Sequence, residues 1–306
     1  MDKYEALKKR LAHPEGIVDV VLDTDAYNEI DDQYAISLLL KSPEKANVLA
    51  FYAAPFFNEK STGPKDGMEK SYNEIMKLLK LAGREDMVPN TFLGSEDYMK
   101  DEKTPVESPA ARDLIKKAMN YTPEKPLYVL AIGAITNVAS AILMEPAIID
   151  RIVIIWLGGN VTNWPDTKEF NMMQDIAAAR VIFGCGAAVV QLPCTGVISN
   201  LRTTKPELTY WLKDKNPLAD YLAQNTINEA DSYAEGKPWS RVIWDISSVF
   251  WLLNDNEKYM KQKFIPAPIP EYDYTYSFNE HRHPVAYVWD INRDAVFEHL
   301  FDVLTK

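Results

Sequence analysis

Five short apolar runs limit what this chain can become: residues 17–22, 48–53, 127–132, 152–157 and 187–192. Each is rich in Val, Ile, Leu or Ala, and none alternates cleanly with polar residues. A strand with one wet face shows that alternation, whereas a strand covered on both faces does not. Helix-type patterns lie between the runs. In DGMEKSYNEIMKLLKLAG, Ile75, Leu78, Leu79 and Ala82 fall at i, i+3, i+4 and i+7, and Gly83 supplies a stop. Residues 175–183 and RDAVFEHLFDVL near the C-terminus also read as helix, and the polar stretch 205–239 as a helical excursion over the sheet's edge. Strands alternating with helices predict an α/β fold with an open, mostly parallel sheet and helices on both faces. No Ser/Gly tract or internal repeat divides the chain, so a single domain over 1–306 is expected.

Apolar residues make up 47% of the chain, enough for a sizeable core. The 33 basic residues stand against 44 acidic ones, a net charge of −11 that argues against a nucleic-acid partner. An uncharged nucleoside remains compatible with that balance. The N-terminal MDKYEALKKR has no apolar signal core, and the apolar runs are far too short for a membrane span. Cys185 and Cys194 lack zinc-type spacing and read as reduced core residues. A cytoplasmic protein, with no membrane partner, is the simplest expectation.

In open parallel sheets, ligands bind beyond the carboxyl ends of the strands. The segments that follow the runs include DTDAYNEIDD, AAPFFNEKSTGPKDG, IGAITN and GGNVTNWPDTKEFN, which therefore should share one pocket. The first is the most demanding. Asp23, Asp25, Glu29, Asp31 and Asp32 fall within ten residues, and their repulsion is costly unless protons are shared or a cation sits among them. Calcium takes six to eight oxygen ligands, and Asp25 and Asp32 could supply the first pair. A carboxylate beside them, Asp31, could act as a general base. The spacing is not that of an EF-hand, and a solvated acidic loop is the alternative.

Taken with four later segments, VVLDTDAYNEIDDQYAI resembles the fingerprint of the calcium-dependent, inosine–uridine preferring nucleoside hydrolases, in a divergent form. LAIGAITNVASAILMEP, WLGGN with KEFNMMQDIAAARVIF, IWDISSVFWLL and INRDAVF resemble further family segments in the expected order. The resemblance implies a Rossmann-like nucleoside hydrolase fold that cleaves the N-glycosidic bond of small-molecule ribonucleosides with a Ca²⁺-bound water. It implies Asp25, Asp32, the Ile132 carbonyl and Asp245 as calcium ligands, and Asp31 as the base. Glu169 and Asn171 would hold the 5′ side of the ribose, and Asn58 would make another ribose contact. Asn160 and Asn163 compete for a further one. A homo-oligomer, dimer or tetramer, is the family's usual assembly.

The chain departs from the pattern in two places. The spacer 26–30 is two residues longer than usual, lacks Pro-Gly, and offers Tyr27 or Asn28 to substrate. Trp244 stands where many members have a histidine thought to protonate the leaving base; an indole cannot do so but could stack on a purine. His281 and His283 form the one close histidine pair and read as loop residues, with a place at the pocket rim as the functional alternative. Asp23 reads as a support that bonds backbone amides, Asn137 and Asp175 as helix N-caps, Glu29 as solvated or near a helix start, and Arg293 with Asp294 as a structural pair. Two other classes compete. VVLDTD also resembles the start of haloacid-dehalogenase-like phosphatases, with Asp23 as nucleophile, and a non-catalytic riboside binder could retain the cation without turnover.

Overall fold

The computed structural model describes residues 3–306. Its centre is an eight-stranded sheet: β1 (Val18–Thr24), β2 (Ala46–Ala53), β3 (Thr91–Leu93), β4 (Leu127–Ala131), β5 (Ile152–Leu157), β6 (Ala188–Leu192), β7 (Met260–Pro266) and β8 (Pro284–Ile291). The spatial order is β3-β2-β1-β4-β5-β6-β8-β7. All neighbours pair in parallel except β7, which runs antiparallel to β8 at the edge. The expected α/β architecture is therefore present.

The sequence runs lack alternation because both faces are covered. In β5, Val153, Ile155 and Leu157 enter one core cluster, while Ile152, Ile154 and Trp156 enter the other. Helices Asp31–Leu40, Pro64–Leu81, Pro217–Ala234, Ile246–Leu252 and Arg293–Thr305 contribute to the first cluster. Helices Pro109–Ala118, Thr136–Met144 and Ile176–Gly184 contribute to the second. Stretch 205–239 is helical as expected, but as two pieces, Lys205–Trp211 and Pro217–Ala234, the second capped by the Asn216 side chain. Among the described residues, no helix is long and apolar enough to cross a membrane.

The chain order reverses between β1 and β4, so the crevice at their carboxyl ends is the topological switch point of this sheet. β1 extends past its apolar run because the ladder continues: Asp23 pairs with Tyr52 and Ala131, and Thr24 with Ala53. That extension delivers Asp25 to the mouth of the crevice. A two-stranded ribbon, Arg202–Thr203 with Arg241–Val242, brings a distant segment to the same place.

Candidate active site

β1 ends at Thr24 and the chain turns at once, with Asn28 N–H donating to the Asp25 carbonyl at 2.7 Å. Asp25 is buried, and neither carboxylate oxygen has a hydrogen-bond partner among the described residues. Asp31 and Asp32 open the following helix. Thr24 Oγ1 donates to Asp32 Oδ1 at 2.5 Å. The Trp244 backbone N–H donates to Asp31 Oδ2 at 3.1 Å, whereas Asp31 Oδ1 has no hydrogen-bond partner among the described residues. Asp245 occupies the N-cap of Ile246–Leu252 yet makes no side-chain cap bond, leaving its carboxylate to the acidic group. One oxygen each from Asp31, Asp32 and Asp245 lie within 4.8 Å of one another.

Burial is the main force pushing the protonation of Asp25, Asp31, Asp32 and Asp245 upward from ordinary carboxylate values. Mutual repulsion adds to it: Asp32 acts on Asp25, Glu29 on Asp31, and Asp31 on Asp245. The Arg241 guanidinium, 3.9 Å from Asp31 Oδ1, opposes the shift there. Two helix N-termini at the same point partly offset the charge. A site of converging buried carboxylate oxygens, several with no donor facing them, fits a hard cation better than a proton network. The trio brought closest contains Asp31 rather than Asp25, although Asp25 faces the same cavity.

The opposite wall comes from β4 and β5. Ile132 lines the cavity just before Gly133, where a β-carbon would stand 2.9 Å from Asp25 Oδ1. Glycine is needed there for close approach. Asn171 donates both protons of its amide, to the carbonyls of Ile132 and Leu157, each at 3.0 Å. Those two acceptors fix the amide orientation and leave Oδ1 to accept from a ligand. Glu169 caps Phe170–Gln174, accepting from Asn171 N and Met172 N, and takes a third bond from Gly159 N at 2.7 Å. Burial pushes its protonation upward, and these backbone N–H groups oppose it.

These groups surround a cavity of about 250 Å³. Ligand pockets commonly span about 300–1,000 Å³, so this volume suits a cation and a sugar, with a larger group at the mouth. The lining contains Asp25, Asp31, Asp32, Ile132, Glu169, Asn171, Trp244 and Asp245 from the sequence-derived set. It contains neither Asn58, Asn160 nor Asn163. Asn58 donates to Asn28 Oδ1 at 2.7 Å, and Asn28 is the residue that lines the cavity. Asn160 ties two loops together through Asp166 O and Thr195 N, while Asn163 is exposed on that loop. His281 and His283 are also absent from the lining.

Cys194 and Thr195 line the cavity and were not anticipated. They follow β6, so the rule that collected the other loops would have collected PCTGVISN as well. Glu29 also lines it, bound to Arg241 at 2.6 Å rather than simply solvated. Two supporting roles differ from expectation. Asp23 accepts from the Asn137 side chain at 2.7 Å instead of from backbone amides. Asn137 lies inside Thr136–Met144, and its Oδ1 accepts from Ser95 N (2.7 Å) and Ser95 Oγ (2.8 Å), so it is a tie between strands and not a cap. Asp175 does cap the next helix, accepting from Ala178 N. Arg293 bonds Glu207 and the Arg202 carbonyl as well as Asp294, away from this cavity.

A family model described as inosine-uridine preferring nucleoside hydrolase matches residues 20–298, a span that includes every residue lining the cavity. The chain belongs to that family. This nucleoside hydrolase is 26% identical over 231 residues to a probable uridine nucleosidase 2 of Arabidopsis thaliana, covering 67% of each chain. It is 25% identical over 260 residues to a pyrimidine-specific ribonucleoside hydrolase of Enterobacter sp., covering 76% of this chain and 78% of that one. A solved plant nucleoside hydrolase superposes with a TM-score of 0.75 at 21% identity, over 94% of this chain and 99% of that one. A purine-preferring ribonucleoside hydrolase from Gardnerella vaginalis gives 0.73 at 19% identity, over 94% and 98%. This nucleoside hydrolase is thus an N-ribohydrolase, and its relatives' names divide between pyrimidine and purine.

Proposed function

We propose that the chain, acting as one unit over 1–306, hydrolyses ribonucleosides to ribose and free base with a calcium ion at the acidic cluster. The observation that carries this reading is the convergence of Asp25, Asp31, Asp32 and Asp245, with unpartnered oxygens on Asp25 and Asp31, in a cavity of sugar size. The donors we assign to the ion are all hard oxygens: carboxylates and the Ile132 carbonyl. That set suits calcium better than a soft transition metal. Asp25, Asp32, Asp245 and the Ile132 carbonyl are the ligands we assign. When bound, the ion supplies charge neutralisation and Lewis acidity towards the sugar's vicinal hydroxyls and a water.

The chain's own residues do the rest. Asp31 is held by Trp244 N–H and takes a proton from the attacking water, which forms its bond to C1′ as the C1′–N bond breaks. Positive charge developing on the ribose faces the surrounding carboxylates. Asn171 Oδ1 and the backbone-held Glu169 position the sugar, with Asn28 as a third contact oriented by Asn58. Asn160 and Asn163 act indirectly, by shaping their loop. Cytoplasmic residence and a homo-oligomeric state belong to the same proposal.

Asp23 is fully buried, bonded to Asn137 and outside the cavity lining, a poor position for a phosphatase nucleophile. The deciding experiment offers inosine, uridine, p-nitrophenyl riboside and p-nitrophenyl phosphate, with and without chelator. Ribose release that stops on chelation and returns with calcium is expected. The Asp31→Ala variant should lose about 10²–10⁴-fold in kcat. Riboside binding without turnover, unaffected by Asp31→Ala, would identify a binder instead. Phosphate release with magnesium would identify a phosphatase.

A further inference from the structure

Resting on the N-ribohydrolase reading, we propose that this chain's preferred substrates are ribosides whose base carries a fixed positive charge, such as pyridinium ribosides. Two observations lead there. The first is the charge of the cavity. Its lining includes Asp25, Glu29, Asp31, Asp32, Glu169 and Asp245, and among the described residues no lysine, arginine or histidine. One divalent cation and the adjacent Arg241 leave the cavity anionic. Glu29 is the acid with an exposed side chain, 41% accessible, and Arg241 anchors it at 2.6 Å. Trp244 and Phe170 line the same cavity, and aromatic rings attract a cationic heterocycle.

The second is the set of available proton donors. A neutral purine or pyrimidine departs as an anion unless it is protonated. Among the described residues, no histidine, lysine or tyrosine lines the cavity, and Trp244 has only an indole N–H. The Cys194 thiol is pushed well above its ordinary range by burial, with the charge of the Glu169 carboxylate adding to the shift. Both Glu169 oxygens already accept backbone N–H bonds. A base with a fixed positive charge needs none of these groups. The water oxygen bonds to C1′, the C1′–N bond breaks, its electron pair neutralises the ring nitrogen, and the base leaves neutral. The water's proton goes to Asp31, so the step yields ribose, neutral base and one proton.

The test compares kcat/KM for N-ribosyl nicotinamide, inosine, uridine and p-nitrophenyl riboside in the calcium-loaded protein. The expected result is a preference of at least about 100-fold for the pyridinium riboside over inosine and uridine, the scale of a missing general acid. Trp244→His should narrow that ratio by raising inosine turnover, with a pH dependence set by the new imidazole. Glu29→Gln should raise KM for the pyridinium riboside severalfold more than for uncharged p-nitrophenyl riboside. Cleavage of p-nitrophenyl riboside together with inosine at rates matching the pyridinium riboside would overturn this inference alone. Cleavage of no riboside would overturn the hydrolase reading with it.

Discussion

Replacing Gly133 by alanine isolates the role assigned to Asp25. The added β-carbon would stand 2.9 Å from Asp25 Oδ1, 3.0 Å from its Cγ and 3.1 Å from the Ala54 β-carbon. Contacts that short force a neighbour to move, and overpacking of this kind costs about 1–3 kcal/mol. Gly133 has no left-handed backbone, so the variant adds crowding without backbone strain. The choice of what moves is set by the bonding. No hydrogen bond to a described residue holds either Asp25 oxygen, so its carboxylate can swing away at little cost to the fold. The metal-free Gly133→Ala protein should then lose only the lower end of that range, about 1 kcal/mol. The cost reappears on cation binding, where Asp25 must return against the methyl group. A penalty of about 1.4–3 kcal/mol weakens calcium binding about 10- to 150-fold. Urea unfolding with chelator measures the first quantity, and calorimetric calcium titration of the folded protein the second. Unchanged calcium affinity beside a clear loss of metal-free stability would refute the reasoning, because Asp25 would then be a packing residue and not a ligand.

Arg241→Met should destabilise the metal-free fold by about 1–2 kcal/mol in urea unfolding, below the figure for a fully buried pair because Glu29 is partly solvated; Arg241→Met with Glu29→Gln should recover part of the loss, and a strictly additive double variant would contradict the pairing. Asn137→Ala removes bonds to Asp23 and Ser95 at the junction of three strands and should cost about 2–4 kcal/mol, read as a lowered urea midpoint at unchanged m-value. His13 donates Nδ1–H to the Trp251 carbonyl and accepts at Nε2 from Asn254 Nδ2, both at 3.0 Å, so the fold holds it neutral. Burial lowers its pKa from the ordinary 6.5, with the Trp251 bond opposing. The unfolded chain therefore binds the proton first: this stability is present above pH 6.5 and declines as pH falls towards the folded value. Wild-type protein should lose up to about 1.4 kcal/mol per pH unit more than His13→Gln in that window, and equal slopes in chelator-containing buffer would remove His13 from the account.

The sheet's interior was legible because burial on both faces writes continuous apolar runs, as in residues 152–157. The edge strand β7 was not, since MKQKFIP places Lys261 and Lys263 on a half-solvated ladder and reads as a loop. Asp25, Asp31 and Asp32 could be found because one loop carries them together. Their relation to Arg241 could not, because Glu29 and Arg241 are 212 positions apart and no local pattern records the pairing. Asn137 misled for a related reason. Thr-Asn before an apolar stretch has the chemistry of a helix cap, and only the packing of Ser95 and Asp23 around it recruits the amide elsewhere.

The longer spacer 26–30 is not a slack insertion. Asn28 alone is held three times: its N–H by the Asp25 carbonyl, its carbonyl by Lys60 Nζ at 2.7 Å, and its side chain by Asn58. Lys60 in turn pairs with Glu229, and Glu29 with Arg241, so both partners of the spacer reach it from beyond the sheet's central strands. The segment 241–245 then does three things within five residues: Arg241 pairs with Glu29, Trp244 N–H holds Asp31, and Asp245 enters the acidic cluster. The spacer and Trp244, the two places where the sequence differs from the fingerprint it resembles, therefore both border the same cavity. On this argument the spacer and Trp244 are one adaptation, so exchanging both should change substrate preference by more than the two single exchanges combined.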